Sequence, residues 1–302
     1  MLGRLITAMV TPFTDKGEVD YPQARRLARA LLASGSEGVV ASGTTGESPT
    51  LSRQEKLKLF AQVKEEVGKT GTVTAGTGSY NTAESVELTS EAERLGVDAC
   101  LLVVPYYNRP TPEGLYQHFR AIASATRLPC ILYNVPSRTV TNLPADVVLR
   151  LSEVDNIIGV KEASGNLEQV ARIIQGVRRK DFLVWSGNDG DTLPILALGG
   201  YGVISVISHL VGKQIREMID HFLQGRTAEA AAIHRRLLPL VSAMFLVSNP
   251  IPLKYALSRV GFRVGKPRLP LLEPDEKTAA QIDATLKNCT IDLAIHGAGD
   301  GE

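Results

Sequence analysis

Short, uniformly apolar runs alternate along the chain with longer segments whose apolar residues recur every three or four positions. Eight runs stand out: LITAMVTP from Leu5, EGVVASG from Glu37, TVTAGTG from Thr72, DACLLVVP from Asp98, PCILYNVP from Pro129, IIGVKEAS from Ile157, FLVWSGN from Phe182 and GVISVIS from Gly202. Each holds 7 or 8 residues and is rich in Val, Ile or Leu, the composition of strands covered on both faces. Between them, helical periodicity covers 21–34, 52–67, 81–95, 111–126, 143–154, 167–177, 192–198 and 212–223. The second of these opens on Ser52 with Glu55 three residues later, the pattern of a capping box. The third starts at Asn81-Thr82 and stops before Gly96, which suits a glycine just past a helix end. Eight strand–helix units predict an α/β fold, a (β/α)8 TIM barrel, over residues 1–225. A doubly wound open sheet is the structural competitor, but no G-x-G-x-x-G follows the first strand, which weakens its dinucleotide-binding form.

After Gly225 the strand signal stops. Helical patterns over 227–247, 250–260 and 274–288, separated by prolines and glycines, predict a small all-helical C-terminal domain over 226–302. That segment shows no convincing catalytic cluster, so its expected duties are stability and contacts between subunits. Residues 297–302 (GAGDGE) read as a frayed tail.

Composition narrows the class. In 302 residues, 44% hydrophobic and 22% charged content describe a soluble globular protein, and a net charge of +1 gives no electrostatic case for nucleic acid or an anionic membrane. No apolar run approaches the roughly 18 residues of a membrane span. The opening MLGRLITAMVTPF is too short an apolar stretch for a signal peptide, ends at Thr11-Pro12 and has no small-residue cleavage site after it. The cysteines, Cys100, Cys130 and Cys289, are odd in number with no close pairing. Cys100 and Cys130 lie in strand-like runs and read as small buried hydrophobes, which fits a reducing cytoplasm.

Lys161 breaks the sixth apolar run, IIGVKEAS. An ammonium is rarely buried without a partner, because removing it from water costs several kcal/mol. Burial favours the neutral amine, and a neutral amine is what a Schiff-base nucleophile must be. The alternative is structural: a lysine paired with Glu162, or one at a strand end that reaches solvent. In a barrel of this kind, active groups follow the C-terminal ends of the strands. After the second strand comes Ser42-Gly43-Thr44-Thr45-Gly46-Glu47, whose hydroxyls and backbone N–H groups suit a small carboxylate, although Gly and Thr also make ordinary turns. Tyr106 and Tyr107 follow the fourth strand, and Tyr133 and Arg138 lie at and after the fifth. Singly, Tyr107 and Tyr133 read first as packing residues. Together with Lys161 they suit carbonyl chemistry through an imine, with Tyr133 moving protons, Thr44 linking the tyrosine hydroxyls and Arg138 forking onto a carboxylate.

Five motifs carry a resemblance: GTTGESPTL from Gly43, PYYNRPTPEGLYQHF from Pro105, YNVPSRT from Tyr133, GVKEASGN from Gly159 and GGYGVISV from Gly199. In this order, over about residues 5–272, they closely resemble the dihydrodipicolinate synthase family of pyruvate-dependent class I aldolases. The resemblance implies an enzyme of lysine biosynthesis via diaminopimelate, a lyase that condenses pyruvate with L-aspartate 4-semialdehyde. It implies that Lys161 forms the imine with pyruvate, and that Tyr133, Thr44 and Tyr107 form a proton relay. In this family the tyrosine matching Tyr107 comes from a neighbouring subunit. Thr45, with the backbone around Thr44, resembles the pyruvate-carboxylate site, and Arg138, in its Ser-Arg-Thr context, the binder of the aldehyde's carboxylate. Gly187 and Ile204 match positions whose backbone lines the pocket. Neither metal nor organic cofactor is implied, and the usual assembly is a homotetramer built from two dimers.

Some members are inhibited by lysine. This chain has Ser48, Glu84 and Tyr106 at matching positions but departs at Arg53, Lys56 and Tyr80. Two cations would repel the ammonium of lysine while Glu84 would attract it, so feedback inhibition is an open question. Two other readings compete: the same imine with another aldehyde, as in N-acetylneuraminate lyase or the keto-deoxy-sugar-acid aldolases, and a catalytically silent barrel that serves as a binding or regulatory subunit. The combination of Lys161, Tyr133, Thr44 and Arg138 argues against the silent barrel.

Overall fold

The computed structural model describes residues 2–295; the tail expected over 297–302 lies outside them. Eight strands form a closed barrel in chain order: β1 (Leu5–Ala8), β2 (Gly38–Ala41), β3 (Thr72–Gly76), β4 (Ala99–Val103), β5 (Cys130–Asn134), β6 (Ile157–Glu162), β7 (Leu183–Ser186) and β8 (Gly202–Ser205). The strand pairings described are parallel, as between β5 and β6 or β6 and β7. The closed order is that of a (β/α)8 barrel and excludes the doubly wound open sheet. Every expected apolar run contains one strand, and most strand residues are buried, as strands covered on both faces must be.

The helices that alternate with these strands are α1 (Tyr21–Ala33), α2 (Arg53–Val67), α3 (Thr82–Arg94), α4 (Pro112–Ser124), the four-residue α5 (Pro136–Thr139), α6 (Ala145–Leu151), α7 (Leu167–Gly176), α8 (Thr192–Ala197) and α9 (Ser208–Leu223). After them come α10 (Thr227–Met244), α11 (Ile251–Arg259) and α12 (Glu276–Leu286). Their starts follow the sequence signals. In the capping box of α2, the Ser52 hydroxyl accepts from Glu55 N at 3.2 Å and the Glu55 carboxylate accepts from Ser52 N at 2.8 Å. Asn81 Oδ1 accepts from Ala83 N and Glu84 N at the head of α3, and Gly96 beyond its end has a left-handed φ of 75°.

Three short elements were not expected: α5 and two single 3₁₀ turns, Ser48–Thr50 and Asp189–Asp191. None is long enough to show a 3.6-residue period. Helix α9 begins at Ser208, four residues before the expected start, because it carries a kink at Val211 (φ −134°, ψ 39°), and regular periodicity resumes only beyond it. Among the described residues no helix is long and apolar enough to cross a membrane.

The chain divides into two compact units. One combines the residues up to Thr72 with those from Ser205 onward; the other is Val73–Ile204. Within the second, the parallel register sets Cys100 opposite Cys130 and Tyr133 opposite Lys161. The two cysteines, distant in sequence, are therefore neighbours on adjacent strands. Both are buried free thiols, and burial pushes Cys100 up to about 12 and Cys130 well above its ordinary value.

Candidate active site

Successive residues of a strand point to opposite faces, so β5 and β6 present two pairs back to back. Tyr133 stands beside Lys161 and Asn134 beside Glu162. Lys161 is only 4% exposed, and its Nζ lies 4.2 Å from the centroid of the Tyr133 ring. The π face of a tyrosine is a favourable neighbour for an amine in a site with little water. Just past β7, Gly187 makes room for the lysine: a Cβ there would sit 3.2 Å from Lys161 Cε and 2.7 Å from Ala163 Cβ. Its N–H donates to Glu162 O at 2.7 Å, which fixes the backbone against β6.

Glu162 does not pair with Lys161. Its carboxylate accepts from Asn134 Nδ2 at 3.0 and 3.1 Å, from Ser164 N at 2.8 Å and from Gln169 Nε2 at 3.1 Å. Burial pushes the Glu162 carboxyl up, and the Ser164, Asn134 and Gln169 donors partly offset that push. Asn134 Oδ1 in turn accepts from Leu143 N, and Gln169 joins Asn142 and Leu143. This network ties the end of β5, the loop before α6 and the first turn of α7 together behind the lysine. Of the two structural readings of Lys161, the ion pair with Glu162 is thereby removed.

The other expected residues in the Val73–Ile204 unit lie on several of its elements. Arg138 lies on α5, exposed, one turn after Tyr133 leaves β5. Ile204 is fully buried on β8. Tyr80 and Tyr106 meet edge to face with ring centroids 5.0 Å apart. Glu84 is close enough to act on the same phenol: burial first, then Tyr80 and Glu84, push the Tyr106 hydroxyl above its ordinary value. Tyr107 stands apart, 91% exposed, with a left-handed φ of 73°.

In the other unit, the turn after β2 holds Thr44 and Thr45, and residues from the C-terminal segment reach it. Thr45 is buried, and its Oγ1 accepts from Asn249 Nδ2 at 2.8 Å. Glu47 is buried and forms an ion pair with Lys254 on α11, Nζ to Oε1 2.6 Å, with both side chains at most 1% exposed. Its second oxygen accepts from Arg268 N at 2.8 Å. Burial lowers Lys254 to about 8 despite the opposing pull of Glu47. Losing one partner of so dry a pair typically costs about 3–5 kcal/mol. Ser48 Oγ accepts from Ser42 Oγ at 3.2 Å.

The C-terminal segment, expected to serve stability and subunit contacts, supplies three residues to the turn that holds Thr44 and Thr45. Lys254 carries the same signal as Lys161, a lysine in an apolar run, here IPLKYAL. On a helical segment that signal is weak, because an isolated lysine usually falls on the solvated face.

The chain was compared with known proteins. The model of the dihydrodipicolinate synthetase family matches residues 1–289. A 4-hydroxy-tetrahydrodipicolinate synthase of Dehalococcoides mccartyi is 64% identical over 294 residues, 97% of this chain and 99% of the relative. Among solved structures, a dihydrodipicolinate synthase of Bacillus anthracis is 43% identical with a TM-score of 0.94, over 96% of this chain and all of that one. The enzyme of Cyanidioschyzon merolae, solved with lysine bound, is 46% identical with a TM-score of 0.94, over 95% of this chain and 98% of its own.

Proposed function

The chain belongs to the dihydrodipicolinate synthetase family, and from that premise we infer that it is a Schiff-base lyase. It condenses pyruvate with L-aspartate 4-semialdehyde to 4-hydroxy-tetrahydrodipicolinate, in lysine biosynthesis via diaminopimelate. The observation that carries this reading is Lys161 itself, buried in β6 with no ion pair among the described residues and its Nζ over the Tyr133 ring.

The Lys161 amine adds to C2 of pyruvate, and loss of water leaves the imine. The imine draws electrons from the methyl carbon, which gives up a proton to become an enamine. The enamine carbon attacks the aldehyde carbon of the semialdehyde, whose oxygen takes a proton. The substrate's own amine then displaces the lysine as the ring closes. Each step moves a proton, and Tyr133, with Thr44 and Tyr107, is the relay in this reading. Thr45 and the backbone around Thr44 hold the pyruvate carboxylate, Arg138 holds that of the aldehyde, and the backbone at Gly187 and Ile204 lines the pocket. The exposure of Tyr107 in one chain supports its service in a partner's site, within a homotetramer of two dimers. The setting is the cytoplasm, where both substrates are metabolites.

Lysine as a regulator is supported by the lysine-bound relative and by the Tyr80–Tyr106 pair beside Glu84. Ser48 completes the matching set. Arg53 and Lys56 add positive charge, which weakens the site for a cationic amino acid.

Borohydride reduction in the presence of pyruvate tests the central claim. Peptide mapping should then find the three-carbon adduct on Lys161. No adduct, or one on another residue, would end the imine reading.

A further inference from the structure

The turn that carries Thr44 and Thr45 is bracketed by two residues in left-handed backbone, Ser42 and Glu47, each with φ 56° and neither a glycine. Such conformations are unfavourable and persist only where the surroundings over-determine them. The grips are identifiable. Thr11 Oγ1 donates to Gly46 O at 2.6 Å, and Ser42 Oγ donates to Ser48 Oγ at 3.2 Å. The rest come from the C-terminal segment: Asn249 Nδ2 on Thr45 Oγ1, Lys254 Nζ on one oxygen of Glu47, and Arg268 N on the other. Arg268 extends the grip through its guanidinium, which donates to Thr50 O at 2.8 Å and to the Glu55 carboxylate. Both cations, Lys254 at 4.0 Å and Arg268 at 4.4 Å, lie over the ring of Phe13.

A buried ion pair adds little net stability, since the loss of hydration offsets most of the attraction. A dry apolar contact would join the two segments as well. What the pair adds is direction. With both carboxylate oxygens of Glu47 held, its backbone is held too, and with it the N–H groups of the turn.

We propose that Lys254, Glu47, Asn249 and the Arg268 amide form a positioning clasp by which the C-terminal segment sets the 42–47 turn to receive the carboxylate of the keto-acid substrate. The clasp rests on the reading of Thr45 and its neighbours as the carboxylate site. Its members are positioning residues, since they act through the turn and not on the reacting atoms.

Steady-state kinetics on Asn249→Ala, Lys254→Met and the double variant Glu47→Gln/Lys254→Met test it. For Asn249→Ala the expected result is a rise in KM for pyruvate of about 3- to 10-fold, the worth of one hydrogen bond. The Lys254→Met variant should show a larger rise. In each, kcat at saturating pyruvate and KM for the aldehyde stay near wild type, and borohydride still traps Lys161. The double variant buries no lone charge, so it carries the test where Lys254→Met does not fold. Folded variants with a lower unfolding midpoint but an unchanged KM for pyruvate would overturn the clasp. Thr45→Val separates the two layers. If it weakens pyruvate binding while the clasp variants do not, the clasp alone is wrong; if Thr45→Val binds pyruvate normally, the carboxylate reading fails and takes the clasp with it.

Discussion

Buried polar side chains divide here by what holds them. Lys161 rests against an aromatic face, Lys254 against a carboxylate, and His209 between two backbone groups: its Nε2 accepts from Val10 N at 3.1 Å, and its Nδ1 lies 2.8 Å from Val206 O. That pair of contacts requires the neutral ring, with the proton on Nδ1, and burial lowers His209 to about 4. His118, buried beside the Thr82 hydroxyl, is also lowered to about 4 by burial. Because both folded values lie below the ordinary 6.5, the unfolded chain takes up protons that the native one does not. Stability is therefore full above about pH 6.5 and falls toward pH 4, by about 1.4 kcal/mol per pH unit for each histidine. Denaturant titrations between pH 7 and 4.5 should show this slope, shallower in His209→Asn; an equal slope in the variant would clear His209. Of these residues only Lys161 was legible as unusual from sequence. A charge interrupting an eight-residue apolar run is conspicuous, whereas one histidine or lysine on a helix looks like surface until its neighbours are known.

Strands were easier to read than the corners between elements. Burial on both faces makes each β run predominantly apolar, and the eight runs recur at regular intervals between helical segments. The corner after β5 obeys a different rule. Four residues, Pro136–Thr139, make one helical turn that ends at Val140 in left-handed backbone (φ 58°), held by Val140 N to Pro136 O at 2.9 Å. A single turn leaves no periodicity, so the sequence located Arg138 but not the element that presents it. The proposed role for that arginine gives a sharp expectation: Arg138→Ala retains the borohydride-trapped pyruvate adduct but loses turnover with aspartate semialdehyde, by about 100-fold or more if a charge-assisted contact of about 3 kcal/mol is lost. Normal turnover would assign the aldehyde's carboxylate to another residue and reopen the choice among pyruvate aldolases.

At the scale of the molecule, the barrel and the family were both legible, because eight strand signals and five motifs are spread along the chain. The linkage between the 42–47 turn and residues 249–268 was not, since no local pattern announces a contact across some 200 positions of sequence. Assembly is also written at this scale. If Tyr107 serves a partner's relay, Tyr107→Phe should lower kcat while KM for pyruvate stays within about twofold, and mixing it with a Lys161→Ala chain should restore part of the activity. Recovery that never exceeds the sum of the two separate preparations would confine Tyr107 to its own chain. The clasp has a further consequence for the order in which the protein is made. A chain emerging from the ribosome exposes the turn after β2 long before Asn249, Lys254 and Arg268 exist. The turn must wait, unclasped, through the synthesis of six more strands, so a nascent or truncated chain can complete β6 and its lysine and still lack a settled seat for the keto acid. Competence arrives only once Arg268 has been made, well after β6 and its lysine, and premature Schiff-base chemistry on shorter chains is thereby discouraged.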